Sequence, residues 1–265
     1  MTRFDARRFS ALGRARRLAW GSPFIYQSET GSTNDDALAA ARGGMPSGTV
    51  FLAEQQAAGR GRRGKSWLGG AGESLLFSIL VRPAGEAGSV SALTLAVGLG
   101  VRAALAEVSS EPLRIKWPND VLAGARKLAG ILCESHFDGK RLEAVVIGIG
   151  VNVSERDFPA ELAGSAVSLQ ALSTDPASAP DRESLLVELL AQSEARVSAY
   201  LGGDRAALLA EFSEHDALRG ERVDISGASP LSGTAHGIDA EGRLLIESDG
   251  LIVPVTSGTV RVAPR

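Results

Sequence analysis

Leu113-Arg-Ile-Lys-Trp-Pro-Asn-Asp-Val-Leu-Ala-Gly-Ala-Arg-Lys-Leu-Ala-Gly-Ile-Leu-Cys133 holds two short apolar runs separated by turn residues. Residues 113–117 and 128–133 read as strands, bounded by Pro, Asp and Gly. Pro118 holds its predecessor in extended backbone and cannot continue the ladder, so the first strand ends and leaves Asn119 and Asp120 projecting from its edge. Working outward, residues 49–53, 74–81 and 144–153 carry the same strand signature. Residues 91–106 are apolar over about the length that spans a bilayer, but Arg102, Ser and Thr interrupt them and Glu107 follows, which predicts a buried helix. Ser32-Thr33-Asn34-Asp35 supplies N-cap residues and first-turn acids to a short helix that Gly43-Gly44 stops. One helix among several hairpin-like strand pairs predicts an α+β fold, a mixed sheet with helices packed on it.

Beyond residue 153 the pattern changes. Residues 173–179 form a loop of Pro, Ser and Ala, residues 182–201 repeat Leu185, Leu186, Leu189, Leu190 and Val197 at helical spacing, and a second helix covers 205–212. Five short runs follow, at 222–225, 231–239, 243–247, 251–255 and 259–262, spaced for a small β-barrel. The chain is expected to divide into residues 1–217, opening with an Arg-rich segment over 1–24, and a C-terminal unit over 218–265.

The 265 residues carry 28 Lys+Arg against 31 Asp+Glu, a net charge of −3, so no global positive field holds nucleic acid or an anionic membrane. Anion binding must be local. One cysteine, Cys133, excludes a disulfide framework, and His136, His215 and His236 have no metal-ligand spacing. The Arg-rich start lacks the apolar core of a secretory signal, which points to the cytoplasm, with an organelle transit peptide as the alternative. Its cluster Arg7, Arg8, Arg14, Arg16 and Arg17 reads as the solvated face of an amphipathic helix, with a nucleic-acid contact as the alternative.

Four polar constellations stand out. Gln56 precedes Gly59-Arg-Gly-Arg-Arg-Gly64 and Lys65-Ser-Trp67, with four cations among the glycines. The spacing imitates a dinucleotide fingerprint, yet no apolar helix can follow it, so a Rossmann turn is excluded. The alternatives are a mobile loop whose Arg forks and backbone N–H groups close on a phosphate or carboxylate, and a solvated charge run. Lys116-Trp-Pro-Asn-Asp120 presents either groups for a phosphate-bound metal or an attacking amine, or a plain Asx turn. In Arg126-Lys-Leu-Ala-Gly-Ile-Leu132 a cation pair enters a strand whose small residues, Gly130 among them, let a ligand approach the backbone. Gly148-Ile-Gly-Val-Asn152 does the same for a flat group, unless its glycines mark a bulge. Only four of the 28 cations are lysines, and Lys65, Lys116 and Lys127 lie in these constellations, where a compact point charge differs from an Arg fork.

In this order, Ser32-Thr33-Asn34, Gln56 with Gly59-Arg-Gly-Arg-Arg-Gly64, Lys116-Trp-Pro-Asn-Asp120, Lys127-Leu-Ala-Gly-Ile-Leu132 and Gly148-Ile-Gly-Val-Asn152 resemble the biotin protein ligases. The resemblance runs from about residue 25 to the C-terminus. It implies a catalytic domain related to class II aminoacyl-tRNA synthetases followed by an SH3-like barrel. The implied reaction joins biotin to ATP as biotinyl-5′-AMP, then passes the biotinyl group to a lysine of a biotin carboxyl carrier domain of carboxylases.

By the same resemblance, Ser32, Thr33, Asn34 and Gln56 serve biotin's ureido ring, and Lys127 holds the biotin carboxylate and adenylate phosphate. Arg60 and Arg62 close the loop of Gly59 and Gly61 over the acyl phosphate. Trp67 offers a face to adenine, and Asn152 meets the ribose or phosphate side. Lys116, Asn119 and Gly130 belong to the cofactor-binding set. Asp120 orients or deprotonates the incoming lysine, or meets Mg²⁺ on the ATP phosphates, and no site built of protein ligands alone is expected for the metal. Bifunctional members carry an N-terminal winged helix that binds DNA, whereas here the first motif begins after 31 residues, so a monofunctional ligase that binds neither DNA nor membrane is expected. A monomer and a homodimer both stay open. The rivals are a lipoate or octanoate ligase of the same fold and a non-catalytic biotin- or nucleotide-binding regulator.

Overall fold

Residues 3–83, 90–173, 181–227 and 229–263 are described by a computed structural model, which arranges them around two sheets. The first has seven strands in the order β1-β2-β3-β7-β6-β5-β4. These are β1 (Phe24–Thr30), β2 (Thr49–Gln56), β3 (Ser74–Val81), β4 (Leu113–Lys116), β5 (Asp120–Ala123), β6 (Arg126–Asp138) and β7 (Arg141–Asn152). Of these pairings only β1 with β2 is parallel. The run Ser74-Leu-Leu-Phe-Ser-Ile-Leu-Val81 is buried at every residue because both faces of the sheet are covered, so it does not alternate.

Helix α1 (Ala6–Arg16) and α2 (Thr33–Arg42) flank β1 in sequence, and α3 (Val90–Ala106) follows β3. Ala37 and Ala41 of α2 pack with Phe51, Leu80, Ala144 and Val146 on one face of the sheet. On the other lies α3, backed by α4 (Arg182–Leu201). The two helices approach closely at Gly100, where a Cβ would fall 2.5 Å from the Cα of Ser193. No helix among the described residues is long and apolar enough to cross a membrane.

The five Arg side chains of the N-terminal cluster are exposed, as the amphipathic reading requires, but the helix that bears them is docked rather than loose. Phe4 and Phe9 are buried, and the Phe9 ring lies 4.3 Å from that of Phe24. Arg8 pairs with Asp181 at 2.8 Å.

After α5 (Arg205–His215) the second sheet begins, with β8 (Arg222–Ser226), β9 (Leu231–Ile238), β10 (Leu244–Ser248), β11 (Leu251–Val255) and β12 (Thr259–Val262). It is antiparallel throughout, in the order β11-β10-β9-β8-β12. This antiparallel arrangement agrees with the small C-terminal β unit expected, and no pairing joins β11 to β12 among the described residues. Trp117 anchors this sheet to the first: its ring is buried and its Nε1 donates to the Gly242 carbonyl at 2.9 Å.

Strand β1 is absent from the sequence reading: its apolar run, Phe24-Ile-Tyr26, is short and gives way to Gln-Ser-Glu, and as an edge strand it is only half-buried. Strand β5 hides inside the stretch read as a turn, and Asp120 is its first residue. The loop expected at 173–179 lies, beyond Ser173, outside the described residues.

Candidate active site

Strand β1 delivers the chain to the N-terminus of α2, beside the ends of β2 and β3. Ser32 takes the N-cap position, yet its side chain makes no capping bond, contrary to the simple cap expected. Gln56, the last residue of β2, accepts instead from the Thr33 backbone N–H at 2.8 Å and from its hydroxyl at 3.1 Å. The Ser78 hydroxyl of β3 bonds Thr33 Oγ1 at 2.8 Å and Asn34 Oδ1 at 2.6 Å. Asn34 Nδ2 donates to Glu134 Oε2 at 2.7 Å. Gly148 makes room for this amide, since a Cβ there would lie 2.1 Å from Asn34 Oδ1. Ser32, Thr33, Asn34 and Ser78 are all buried, so fixed donors and acceptors occupy a dry environment that suits a flat, uncharged polar group.

The other half is cationic. The Gly-rich loop leaves and returns through the bond from Trp67 N to Gly59 O at 2.9 Å, with Gly61 N to Lys65 O at 2.6 Å inside it. The returning Trp67 indole occupies the space where side chains at 130 and 150 would stand: a Cβ on Gly130 would lie 2.8 Å from it and one on Gly150 2.4 Å. Gly130 and Gly150 pair directly across β6 and β7. These glycines form a bed for a flat ring, which answers the choice between close approach and bulge.

Lys127 Nζ lies 5.1 Å from the Trp67 ring centroid and 2.6 Å from Asp120 Oδ1. Arg62 Nη1 reaches Asn119 Oδ1 at 3.5 Å, and Asn119 Nδ2 donates to Ile131 O at 3.0 Å. Burial holds both Arg62 and Lys116 below their ordinary values, and Asp120 opposes that pull at each. A cation short of solvent is a cation that an arriving anion stabilises. Arg60 stands between Asp35 at 2.8 Å and Glu134 at 2.6 Å.

The two halves share one cavity of about 430 Å³. Ser32, Thr33, Asn34, Gln56, Arg60, Gly61, Arg62, Trp67, Lys116, Asn119, Asp120, Lys127, Gly130 and Asn152 all line it. Gly59 does not; it sits at the neck of the loop, where a Cβ would meet the Trp67 carbonyl at 2.7 Å, so its task is the turn rather than the ligand. Asn152 spends its amide on the Lys127 and Val167 carbonyls, at 3.3 and 3.1 Å, bracing the strand that carries Lys127. Gly258, Thr259 and Val260 of the second sheet supply one wall.

Ser78 and Glu134 escaped the sequence reading because each lies in a strand and gains meaning only through partners far along the chain. Glu155, in the segment after β7, escaped it too: it is buried against the Ser74 hydroxyl, with Oε2 lacking a partner among the described residues and its carboxyl pushed up to about 7 by burial. No group of three or more His, Cys, Asp or Glu placed to hold a metal occurs among the described residues.

Residues 28–152 match the model of the biotin/lipoate A/B protein ligase family, and residues 220–262 that of the biotin protein ligase C terminal domain. A biotin–[acetyl-CoA-carboxylase] ligase of Mycobacterium tuberculosis is 38% identical over 242 residues, covering 88% of this chain and 86% of the relative. The bifunctional ligase/repressor BirA of Escherichia coli is 32% identical over 222 residues, 82% of this chain and 67% of its own. The biotin protein ligase of Aquifex aeolicus in complex with biotin and ATP superposes with a TM-score of 0.79 at 27% identity, over 91% of this chain and 99% of that one. With the sequence motifs gathered in one cavity and relatives matched along most of their length, the chain belongs to the biotin protein ligase family.

Proposed function

We propose that the cavity activates biotin with ATP and passes it to a lysine of a carboxylase carrier domain. The observation that carries the assignment of roles is that Lys127 lines the same cavity as the buried polar groups at the start of α2, with its Nζ 5.1 Å from the Trp67 ring centroid and 2.6 Å from Asp120 Oδ1. Biotin's ureido ring fits the first, with Thr33, Gln56 and Asn34 as its donors and acceptors and Ser78 fixing them. Its carboxylate then reaches Lys127. That carboxylate attacks the α-phosphorus of ATP, forming biotinyl-5′-AMP and expelling pyrophosphate.

An anion attacking a polyanion meets repulsion, which Lys127, Arg62 and Lys116 offset far better in a dry cavity than in water. Adenine lies against Trp67 on its glycine bed. In the second step the carrier's amine attacks the acyl carbon and AMP departs, so no nucleophile of the protein is consumed. Asp120, paired with Lys127 before substrates arrive, is placed to orient or deprotonate that amine once Lys127 turns to the ligand. A Mg²⁺ ion carried in on the nucleotide would find Asp120, which lines the cavity, as a carboxylate to meet it, and would spread the phosphate charge. We place the division between the catalytic part and the C-terminal unit at 217/218 and the reaction in the cytoplasm.

ATP–pyrophosphate exchange with Mg²⁺, comparing biotin, lipoate and octanoate at equal concentration, tests the reading. Exchange that requires biotin supports it. Exchange with either aliphatic acid moves the chain to the sister activity, and biotin binding without exchange makes it a regulator.

A further inference from the structure

The Gly-rich loop is held at a second point through Arg63, which borders the same cavity. Arg63 turns the chain in the left-handed region, with φ 56, and its side chain reaches the C-terminal sheet, where Nη1 donates to Ser226 O at 2.9 Å. The seat is made by Gly227. A Cβ there would fall 2.6 Å from Nη2 and 2.8 Å from Nη1, and its φ of +149 is one that other residues rarely adopt. Ser226 ends β8 and pairs with Thr259 of β12, which lines the cavity together with Gly258 and Val260. The guanidinium therefore ties the lid of the cavity to the strand pair that forms its wall.

We propose that Arg63 is a positioning residue that latches the Gly-rich loop to the C-terminal sheet, so that retention of the acyl-adenylate depends on the Ser226–Gly227 seat. This rests on the ligase reading. Arg62, its neighbour, has different partners, Asn119 and the charge of Asp120, and the mutual repulsion of the two guanidinia favours keeping them on separate anchors. An Arg-to-carbonyl bond at an exposed position is modest, so its loss is expected to speed adenylate release roughly three- to ten-fold rather than to abolish synthesis.

The first arm needs no activity. Hydrogen exchange of ligand-free protein, read by mass spectrometry over residues 59–67, is expected to rise in Arg63→Ala and in Gly227→Ala, and to rise no further in the double variant. The second arm measures release of biotinyl-5′-AMP from the same proteins, with the same non-additive outcome. Thermal unfolding checks that Gly227→Ala is folded; if it is not, Arg63→Ala alone decides. Loop exchange and adenylate release at wild-type rates in Arg63→Ala would overturn the latch, as would single effects that multiply in the double variant. Should the wild-type protein make no adenylate, the ligase reading fails while the exchange arm still judges the latch.

Discussion

Gly150→Ala is expected to damage the nucleotide step while sparing the fold. Gly150 lies in β7 between Leu76 of β3 and Gly130 of β6. An added Cβ would stand 2.4 Å from Trp67 Cε2 and 2.7 Å from Cζ2, where ordinary contact needs 3.4–4 Å. The indole must therefore lift by about 1 Å, taking with it the ring over which Lys127 is held. Trp67 is half-buried and sits on a loop, so it can move, and alanine in a strand recovers about 0.5–1 kcal/mol of backbone entropy relative to glycine. The net stability change is expected within about 1 kcal/mol of zero. Catalysis tolerates such a displacement poorly: kcat/KM for ATP in pyrophosphate exchange is expected to fall roughly 10- to 100-fold. The KM for biotin, proposed above to meet Thr33, Asn34 and Gln56 rather than Trp67, is expected to move far less. Urea unfolding supplies the stability arm. A folded Gly150→Ala protein with unaltered ATP kinetics, or one losing biotin and ATP affinity in step, would show that the indole is not the nucleotide platform.

Lys127→Ala is expected to lower adenylate synthesis at least roughly 10²- to 10³-fold with the circular dichroism spectrum unchanged; full activity would refute its assignment. Arg62→Gly is expected to shorten the lifetime of enzyme-held adenylate and to biotinylate bystander proteins, whereas an unchanged lifetime counts against loop closure by this residue. Glu155 gives a pH signature in stability. Its carboxyl rises on folding from 4.5 to about 7, so the native state favours the protonated form. That contribution is complete below about pH 4.5 and fades as the pH rises through 7, by roughly 3 kcal/mol in all. Denaturant unfolding at pH 5 and pH 8.5 should find the wild type weaker at the higher pH and Glu155→Gln less sensitive; parallel losses in both proteins would exclude Glu155 as the source.

Much of the site was legible because its chemistry is written in short contiguous runs. Lys116 to Asp120, Lys127 to Leu132 and Gly148 to Asn152 each lie on one strand or turn, so spacing along the chain preserves spacing in space. The apolar helix over 90–106 and the Leu-rich helix over 182–201 were equally plain, since burial on several sides leaves an unambiguous pattern. Other features depend on distant partners. Strand β1 is half polar and becomes a strand only by pairing with β2. Ser78 looks like a polar blemish in an apolar strand until Thr33 and Asn34 are set above it. Glu134 is one acid among many until Asn34 and Arg60 converge on it. Asn152 lines the cavity as expected of a ligand contact, but an amide at the end of a glycine-bearing strand gives no sign that its Nδ2 also meets two carbonyls.

All five residues of the run Lys116-Trp-Pro-Asn-Asp120 border the cavity, yet the Trp117 ring is sunk in the core and its N–H is spent on Gly242 in the β9–β10 connection. Transplanting these five residues onto another scaffold would thus move the charges and strand the indole, which needs a carbonyl offered by a separate sheet more than a hundred residues away. For anyone redesigning this enzyme, the portable unit is the motif together with the β9–β10 connection that receives it.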